Sequence, residues 1–201
     1  MKENIRNKKI WDLPLRLFHI ILILLVTCSI LSAKLNMLDL HQYFGLALLG
    51  LIFLGFYGDL LALIIRNLKA NSISSVRTPI GSYSSLIFII ALLSISVSGL
   101  FSSDDVLYDA PLAFLTPDYT SYFTYIHNIL HYLLYSLIVI HILAIMYYQI
   151  FKKMKIIERV LDGYSRIEKT DLVSINEKPL IGVLSLLILT FLPVLILIYF
   201  N

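Results

Sequence analysis

The chain has 201 residues, of which 59% are hydrophobic and 14% charged, with a mean hydropathy of +0.85 and a formal net charge of +3. This composition is too apolar for a soluble domain, is sufficient for several membrane spans, and lacks the charge balance of a nucleic-acid-binding protein. The single cysteine, Cys28, excludes a disulfide framework, a cysteine-rich zinc site and an iron–sulfur cluster with four ligands from this chain.

Five apolar runs predict transmembrane helices at residues 14–33, 41–58, 79–101, 122–150 and 179–200. The first run begins at Pro14, a residue suited to the first turn of a helix. Residues 59–70 follow the second run and predict either a continuation of that span or a short helix lying at the membrane interface.

These runs predict an all-α integral membrane protein. Residues 1–165 are expected to form a four-helix bundle, 166–178 a cytoplasmic linker and 179–201 a fifth, C-terminal transmembrane helix. The loop 102–121 contains four aspartates and two prolines, and we expect it to fold back as a cap over the fourth span. Ser98 and Gly99, near the end of the third span, suit close packing of helices.

Lysine and arginine placement predicts the orientation, because cytoplasmic loops carry an excess of these residues. Residues 1–16 hold five of them, 59–78 hold three and 151–178 hold seven, whereas only Lys34 falls on the opposite side. The expected location is the bacterial cytoplasmic (inner) membrane, with the N-terminus in the cytoplasm and the C-terminus, after five spans, in the periplasm.

The fourth run holds three of the five histidines, His127, His131 and His141. His127 and His141 are 14 residues apart, which at about 100° per residue returns to within roughly 40° of the same helix face. The spacing also separates them by roughly 21 Å along the axis, so one lies near each side of the membrane. Ionisable groups in spanning helices are rare and usually functional. The alternative is a pair of buried histidines bonded to neighbouring helices.

His127 and His141 can each be paired with a histidine of another span that is expected at the same depth in the membrane. His19 lies near the cytoplasmic end of the first span, which pairs it with His141, and His41 opens the second span from the outer face, which pairs it with His127. Two imidazoles from different helices suit a six-coordinate haem iron that transfers electrons, because neither axial position is open. The sequence has no CxxCH motif, so the prediction is two non-covalent haems b. Gly45, one turn beyond His41, lacks a Cβ and would let a flat ligand approach the backbone.

His131 is the remaining histidine of the fourth run. It lies one turn beyond His127, but it is turned about 80° away from His141, so His127 is the better ligand. His131 could replace His127, bond a haem propionate or contact a quinone, or it could be a hydrogen-bonded interfacial histidine. For the whole set, a single haem held by one pair and a haem-free membrane scaffold are the alternatives.

Several motifs of the sequence resemble those of the prokaryotic cytochrome b561 family, and they occur in the same order at compatible spacing. The family includes the b-type cytochrome subunits of nickel–iron hydrogenases. The resemblance covers about residues 10–165, whereas His131 and the fifth span depart from the family pattern. The motifs are IWDLPLRLFH with Trp11, Asp12, Pro14, Arg16 and His19, LHQYFG with His41 and Gly45, TPIG from Thr78 to Gly81, SGLFSSDDVLYDAPLA from Ser98 to Ala113, and the pair His127 and His141.

The resemblance implies a respiratory-chain membrane cytochrome that passes electrons between the quinone pool and a soluble or membrane-anchored redox protein. It also implies that the four paired histidines ligate haem iron and that Arg16 contacts a haem propionate or a lipid headgroup on the cytoplasmic side. Such a chain is an electron-transfer protein, with quinone-linked oxidoreductase activity as the enzymatic possibility. Its expected partners are membrane lipid, quinone or quinol and the redox protein, and not nucleic acid.

Two further functions are alternatives. One is a haem-bearing membrane anchor subunit of a hydrogenase or dehydrogenase, and the other is a superoxide:quinone oxidoreductase. The outer face carries Lys34 against five aspartates, a surface that would attract a basic partner such as a small cytochrome and repel an anion such as superoxide. The five aspartates are Asp39, Asp104, Asp105, Asp109 and Asp118.

Overall fold

A computed structural model gives the fold of residues 7–9, 13–68, 79–103, 109–153, 156–162, 164–166 and 179–200. Most of the expected linker (167–178) lies outside these described residues, as do Trp11, Asp12, Thr78, Asp104 and Asp105. The α-helices in the described part are α1 (Leu13–Lys34), α2 (Leu38–Leu68), α3 (Pro79–Leu100), α4 (Thr120–Ile150), α5 (Ile156–Asp162) and α6 (Pro179–Phe200), and short 3-10 helices occupy Ala113–Leu115 and Pro117–Tyr119.

A short two-stranded sheet joins the segment before α1 to the segment after α5. Strand β1 (Asn7–Lys9) pairs antiparallel with strand β2 (Tyr164–Arg166), and Lys8 lies opposite Ser165. Because β1 precedes α1 and β2 follows α5, this pairing puts the start of α1 and the end of α4 on the same side of the bundle. Apart from these strands and short turns, the described fold is helical, as the sequence predicts.

The α1–α2 connection is a tight turn at Leu35–Met37. Asn36 has φ of 55°, a left-handed conformation that asparagine tolerates better than most residues. The amide of Met37 donates to the carbonyl of Ser32 at 2.9 Å, which ties the turn to the last turns of α1. The turn folds α2 back along α1 and brings the first turns of α2 beside the end of α1.

Helix α2 runs without interruption to Leu68. Residues 59–68 therefore continue the second helix and do not form a separate short helix, and residues 69–70 lie outside the described part. At about 1.5 Å per residue the 31 residues of α2 exceed the roughly 30 Å hydrocarbon core.

The core draws on all five long helices. Each contributes a leucine that is less than a tenth exposed, and α6 packs against both α2 and α1. A Cβ built on Gly50 would collide with the carbonyl oxygen of Leu189, so the backbones of α2 and α6 are in close contact there. The fifth long helix is thus packed into the bundle. The leucines are Leu25, Leu51, Leu92, Leu134 and Leu186.

The described residues of the α3–α4 loop, 101–103 and 109–119, are held against α4, as expected of a cap, and residues 104–108 lie outside the described part. Thr124 of α4 donates its hydroxyl to the carbonyl of Ser103 at 2.8 Å and accepts the Ser103 amide at 3.0 Å. The hydroxyl of Ser103 donates to the Asp109 carboxylate at 2.6 Å, across a β-bridge between these two residues. These bonds close the outer end of the α3–α4 hairpin.

Two described helical stretches, Arg16–Lys34 and Pro117–Ile150, are long and apolar enough to cross a membrane. Apolar stretches of α2, α3 and α6 are shorter where their residues are described. Many large apolar side chains on the outside of the bundle are exposed, including Ile23, Ile90, Ile140 and Leu195. An apolar exterior of this kind suits a lipid environment.

Candidate metal centre

His41 and His127, the pair predicted to lie on the outer side and called the outer pair, meet between α2 and α4. The ring centres of His41 and His127 are 6.0 Å apart and their planes make an angle of 83°. His41 is in the first turn of α2, directly after the tight α1–α2 turn, and His127 is in the third turn of α4. The two residues that the sequence pairs by depth are thus neighbours in the fold.

Each of these rings is anchored through Nδ1 to a backbone carbonyl. Nδ1 of His41 is 2.9 Å from the carbonyl oxygen of Ser29 in α1, and Nδ1 of His127 is 2.9 Å from that of Ile95 in α3. A carbonyl oxygen can only accept a hydrogen bond, so the partners assign the proton to Nδ1 in both rings. The unprotonated Nε2 of each ring keeps its lone pair and is the nitrogen available to a metal.

Two serine hydroxyls lie beside the same Nδ1 atoms. Ser29 Oγ is 3.2 Å from Nδ1 of His41, and Ser98 Oγ is 3.3 Å from Nδ1 of His127. Ser98 is 4% exposed, so this contact is shielded from solvent. Each ring therefore has a hydroxyl and a carbonyl from a neighbouring helix holding its orientation.

Gly99 lets α3 approach the His127 ring. A Cβ built on Gly99 would lie 3.0 Å from Cε1 and 3.2 Å from Nδ1 of His127, which is tighter than ordinary van der Waals contact. The expected close packing at Ser98 and Gly99 is thus a contact between a helix and an imidazole.

A cavity of about 430 Å³ opens beside the outer pair, between α1, α2, α3 and α4. Gly45 and Gly99 are part of its wall, and a Cβ on Gly45 would meet no atom within 4 Å. Ser96 also lines the cavity, and its buried hydroxyl has no hydrogen-bond partner among the described residues. The volume is within the range of small-molecule and cofactor sites.

His131 lines this cavity but lies in an aromatic cluster. Its ring stacks on Tyr132 with centres 4.9 Å apart and meets the edge of Tyr135 at 4.3 Å. It is also close enough to Lys34 and His41 to interact with them electrostatically. The ring that makes the aromatic contact with His41, however, is that of His127.

The inner pair lies at the other end of the bundle. His141 lies within electrostatic range of His19. The ring of His141 meets the edge of Phe88 of α3 at 5.1 Å between centres, and His19 meets Phe18 at 5.6 Å. These two histidines lie on α1 and α4, and the direct approach of their rings stays a prediction.

Arg16 lies one turn before His19. Its Nε donates to the carbonyl of Val160 in α5 at 3.2 Å. This bond joins the start of α1 to the segment that follows α4, on the side of the bundle where β1 and β2 pair. The remaining guanidinium N–H groups are chemically suited to a carboxylate.

The spacing of the outer pair is compatible with a haem group. Metal–imidazole bonds are about 2 Å long, so ring centres 6.0 Å apart have the separation that one iron bonded to an Nε2 of each ring would need. Gly45 lines the cavity beside the pair and has no side chain, so a flat ligand could approach the backbone of α2 there. Among the described residues, no three His, Cys, Asp or Glu side chains cluster to hold a metal ion.

Sequence reasoning did not identify the groups that orient the two rings. The sequence could not reveal the carbonyls of Ser29 and Ile95 as hydrogen-bond acceptors, because every residue has a backbone carbonyl. Serines at positions 29, 32 and 98 of apolar runs were the available signal, since hydroxyls in spanning helices often bond across helices.

Comparison with known proteins gives one family. The family model described as prokaryotic cytochrome b561 matches residues 10–163, a stretch that contains all five histidines. No curated protein and no solved structure matches the chain.

Proposed function

The chain belongs to the prokaryotic cytochrome b561 family, and from that premise we propose that it is a di-haem cytochrome carrying electrons between the quinone pool and a redox partner protein. Membership makes it a b-type membrane cytochrome that binds haem b and acts in electron transfer. The number of haems, the residues that hold them and the reactants at each end are the subject of the proposal.

The observation that carries the proposal is the close approach of the His41 and His127 rings. Their ring centres are 6.0 Å apart, and in each ring the Nδ1 bond to a carbonyl leaves Nε2 free. These residues would hold the outer haem iron. Gly45 and Gly99 would border the bound group, since both line the adjoining cavity. Haem b supplies one-electron oxidation and reduction when bound.

His19 and His141 would hold the inner haem iron. The electrostatic interaction of His141 with His19 supports this assignment. Arg16 would contact a propionate through the guanidinium N–H groups that its bond to Val160 leaves available. An arginine fork suits a carboxylate through paired, charge-assisted hydrogen bonds.

His131 is the residue we assign to quinone or propionate contact at the outer side. It shares the cavity wall with Asn128 and Tyr135, and these three supply hydrogen-bond donors and aromatic surface. A quinone carbonyl accepts hydrogen bonds while its ring stacks on aromatic side chains. The cavity therefore has the mixture of groups that such a substrate needs.

The outer surface favours a basic redox partner. Asp39, Asp109 and Asp118 are exposed there, and the exposed cation on the same side among the described residues is Lys34. This charge supports docking of a basic cytochrome and disfavours the superoxide alternative, because superoxide is an anion. Purification with a hydrogenase or dehydrogenase subunit would instead identify the chain as an anchor subunit.

We assign the chain to the bacterial inner membrane with the N-terminus in the cytoplasm. The lysine and arginine distribution supports this orientation. Reporter fusions would test it, because a fusion to the outer loop near Asp118 should be active only in the periplasm and a fusion near Lys152 only in the cytoplasm.

The decisive experiment is a pyridine haemochrome assay on detergent-purified protein, with haem quantified per polypeptide. Two haems b per chain support the proposal, whereas one or none contradicts it. Reduction of the oxidised protein by a quinol, compared between wild type and His131→Ala, then tests the quinone assignment. Equal reduction rates in the two proteins would remove His131 from the quinone site.

A further inference from the structure

Two serines bond the carbonyls that orient the outer histidines. Ser98 Oγ is also 3.3 Å from Nδ1 of His127, whereas the hydroxyl beside Nδ1 of His41 is that of Ser29. Ser32 Oγ donates to the carbonyl of Ser29 at 2.9 Å, and Ser98 Oγ donates to the carbonyl of Ile95 at 2.9 Å. These are the two carbonyl oxygens that accept Nδ1–H of His41 and of His127. Each serine is three residues after the carbonyl it bonds, and each is 4% exposed.

The serine and the imidazole compete for one oxygen. Both carbonyls lie inside helices, where the oxygen also accepts the amide hydrogen of the next turn. A carbonyl oxygen has two lone pairs, so a third donor weakens the bonds made by the other two. The serine hydroxyl therefore limits how strongly the carbonyl draws the Nδ1 proton of the histidine.

The strength of that Nδ1–H bond controls the histidine as a metal ligand. A stronger bond makes the imidazole more basic and a better electron donor to iron. A better donor stabilises ferric over ferrous iron, and hydrogen bonding of this kind is one of the ways in which a protein sets a haem potential.

We propose that Ser32 and Ser98 are positioning residues that raise the reduction potential of the outer haem by sharing the carbonyl acceptors of His41 and His127. The inference rests on the proposed function, since it concerns the haem that this pair would hold. It adds two residues that touch neither iron nor substrate and act through the histidines.

Helical serines often bond back to a carbonyl one turn earlier without further consequence, and the chain contains a matched example. Ser136 Oγ donates to the carbonyl of Tyr132 at 3.0 Å on an exposed face of α4. The described bonds place no histidine nitrogen on that carbonyl. Ser136→Ala therefore removes the same kind of bond without the proposed coupling.

The test is a potentiometric titration of the purified two-haem protein. The variants are Ser98→Ala, Ser32→Ala and Ser136→Ala, with the outer haem identified as the one that His127→Ala removes. At the ambient potential where the wild-type outer haem is half reduced, we expect its reduced-to-oxidised ratio to fall between a few-fold and about tenfold in Ser98→Ala and Ser32→Ala. The inner haem and Ser136→Ala should be unchanged.

Both alanine variants should fold, because the histidine and the amide still occupy the carbonyl and alanine favours the helix. Ser98→Thr keeps a hydroxyl and should keep the outer haem nearer the wild-type ratio than Ser98→Ala does. A second readout is the electron paramagnetic resonance signal of the ferric outer haem, which should shift in Ser98→Ala and not in Ser136→Ala.

Two results overturn the inference while leaving the proposed function intact. One is a protein with two haems whose outer ratio is unchanged in both Ser98→Ala and Ser32→Ala. The other is an equal shift in Ser136→Ala. A wild-type protein without two haems, or a His127→Ala variant that keeps both, overturns the proposed function itself and the inference with it.

Discussion

The imidazole rings of His41 and His127 lie nearly perpendicular to each other, at 83°, with their centres 6.0 Å apart. The carbonyls that orient them come from two other helices, α1 for His41 and α3 for His127. Four helices thus contribute to one pair of rings. Rotation of either ring would break a hydrogen bond in the low-dielectric interior, where an unpaired polar group is costly.

Removing either member of a histidine pair should remove one haem. We expect His41→Ala and His127→Ala each to reduce the haem content from two per chain to one, and both to lose the same spectral component. His19→Ala and His141→Ala should each lose the other component. The pyridine haemochrome assay and redox difference spectra measure both effects.

His131→Ala is the matched control for this series, because His131 lies on the same helix and lines the same cavity. It should keep two haems. If His131→Ala loses a haem and His127→Ala keeps both, the assignment of the outer ligands is wrong.

A large side chain at Gly45 should prevent binding of the outer haem without preventing folding. Because a Cβ at this position meets no atom within 4 Å, Gly45→Phe should preserve the helical bundle while its ring occupies the cavity. We expect normal helix content by circular dichroism together with loss of the outer haem. Retention of both haems in Gly45→Phe would mean that the cofactor does not pass near this glycine.

Gly99→Ala should displace the His127 ring. The new Cβ would lie 3.0 Å from Cε1, and the ring cannot move away without lengthening its bond to the Ile95 carbonyl. We expect weaker retention of the outer haem during purification or on titration with imidazole. The inner haem is the internal control, and equal weakening of both haems would indicate a general loss of packing.

Gly50→Ala should destabilise the bundle through α6. The added Cβ meets the carbonyl oxygen of Leu189, a backbone atom that cannot rotate away. Overpacking of this kind typically costs about 1–3 kcal/mol in the free energy of unfolding. Thermal unfolding in detergent measures the change, and Gly45→Ala is the control because its Cβ meets open space. Equal unfolding temperatures for the two variants would contradict the close α2–α6 contact.

The ring geometry predicts two spectroscopic results. In haem-free protein, nitrogen chemical shifts of ¹⁵N-histidine should show His41 and His127 as the Nδ1-protonated tautomer, because each Nδ1 faces a carbonyl. In the loaded protein, perpendicular axial rings should give the strongly anisotropic low-spin ferric signal typical of that arrangement. A signal typical of parallel rings would show that binding turns one of them.

The positions of the histidines along the chain were sufficient to pair them by depth. In a membrane bundle, position along a helix translates directly into depth through the rise per residue. His19, His41, His127 and His141 could therefore be sorted before any packing was known, and the structure brings the rings of His41 and His127 together. The same reasoning separated His127 from His131, because angular position also follows from spacing.

Lateral contacts were decided only by the tertiary structure. Spacing did not reveal that Ile95 and Ser98 would meet His127, because a carbonyl acceptor has no residue-type signature and the approach depends on how α3 packs on α4. The docking of α6 at Gly50 and the uninterrupted course of α2 to Leu68 were likewise undetermined. The sequence by itself determined an apolar helical chain and the depth of its histidines; packing decided which neighbours orient them, because close contacts depend on all the facing helices at once.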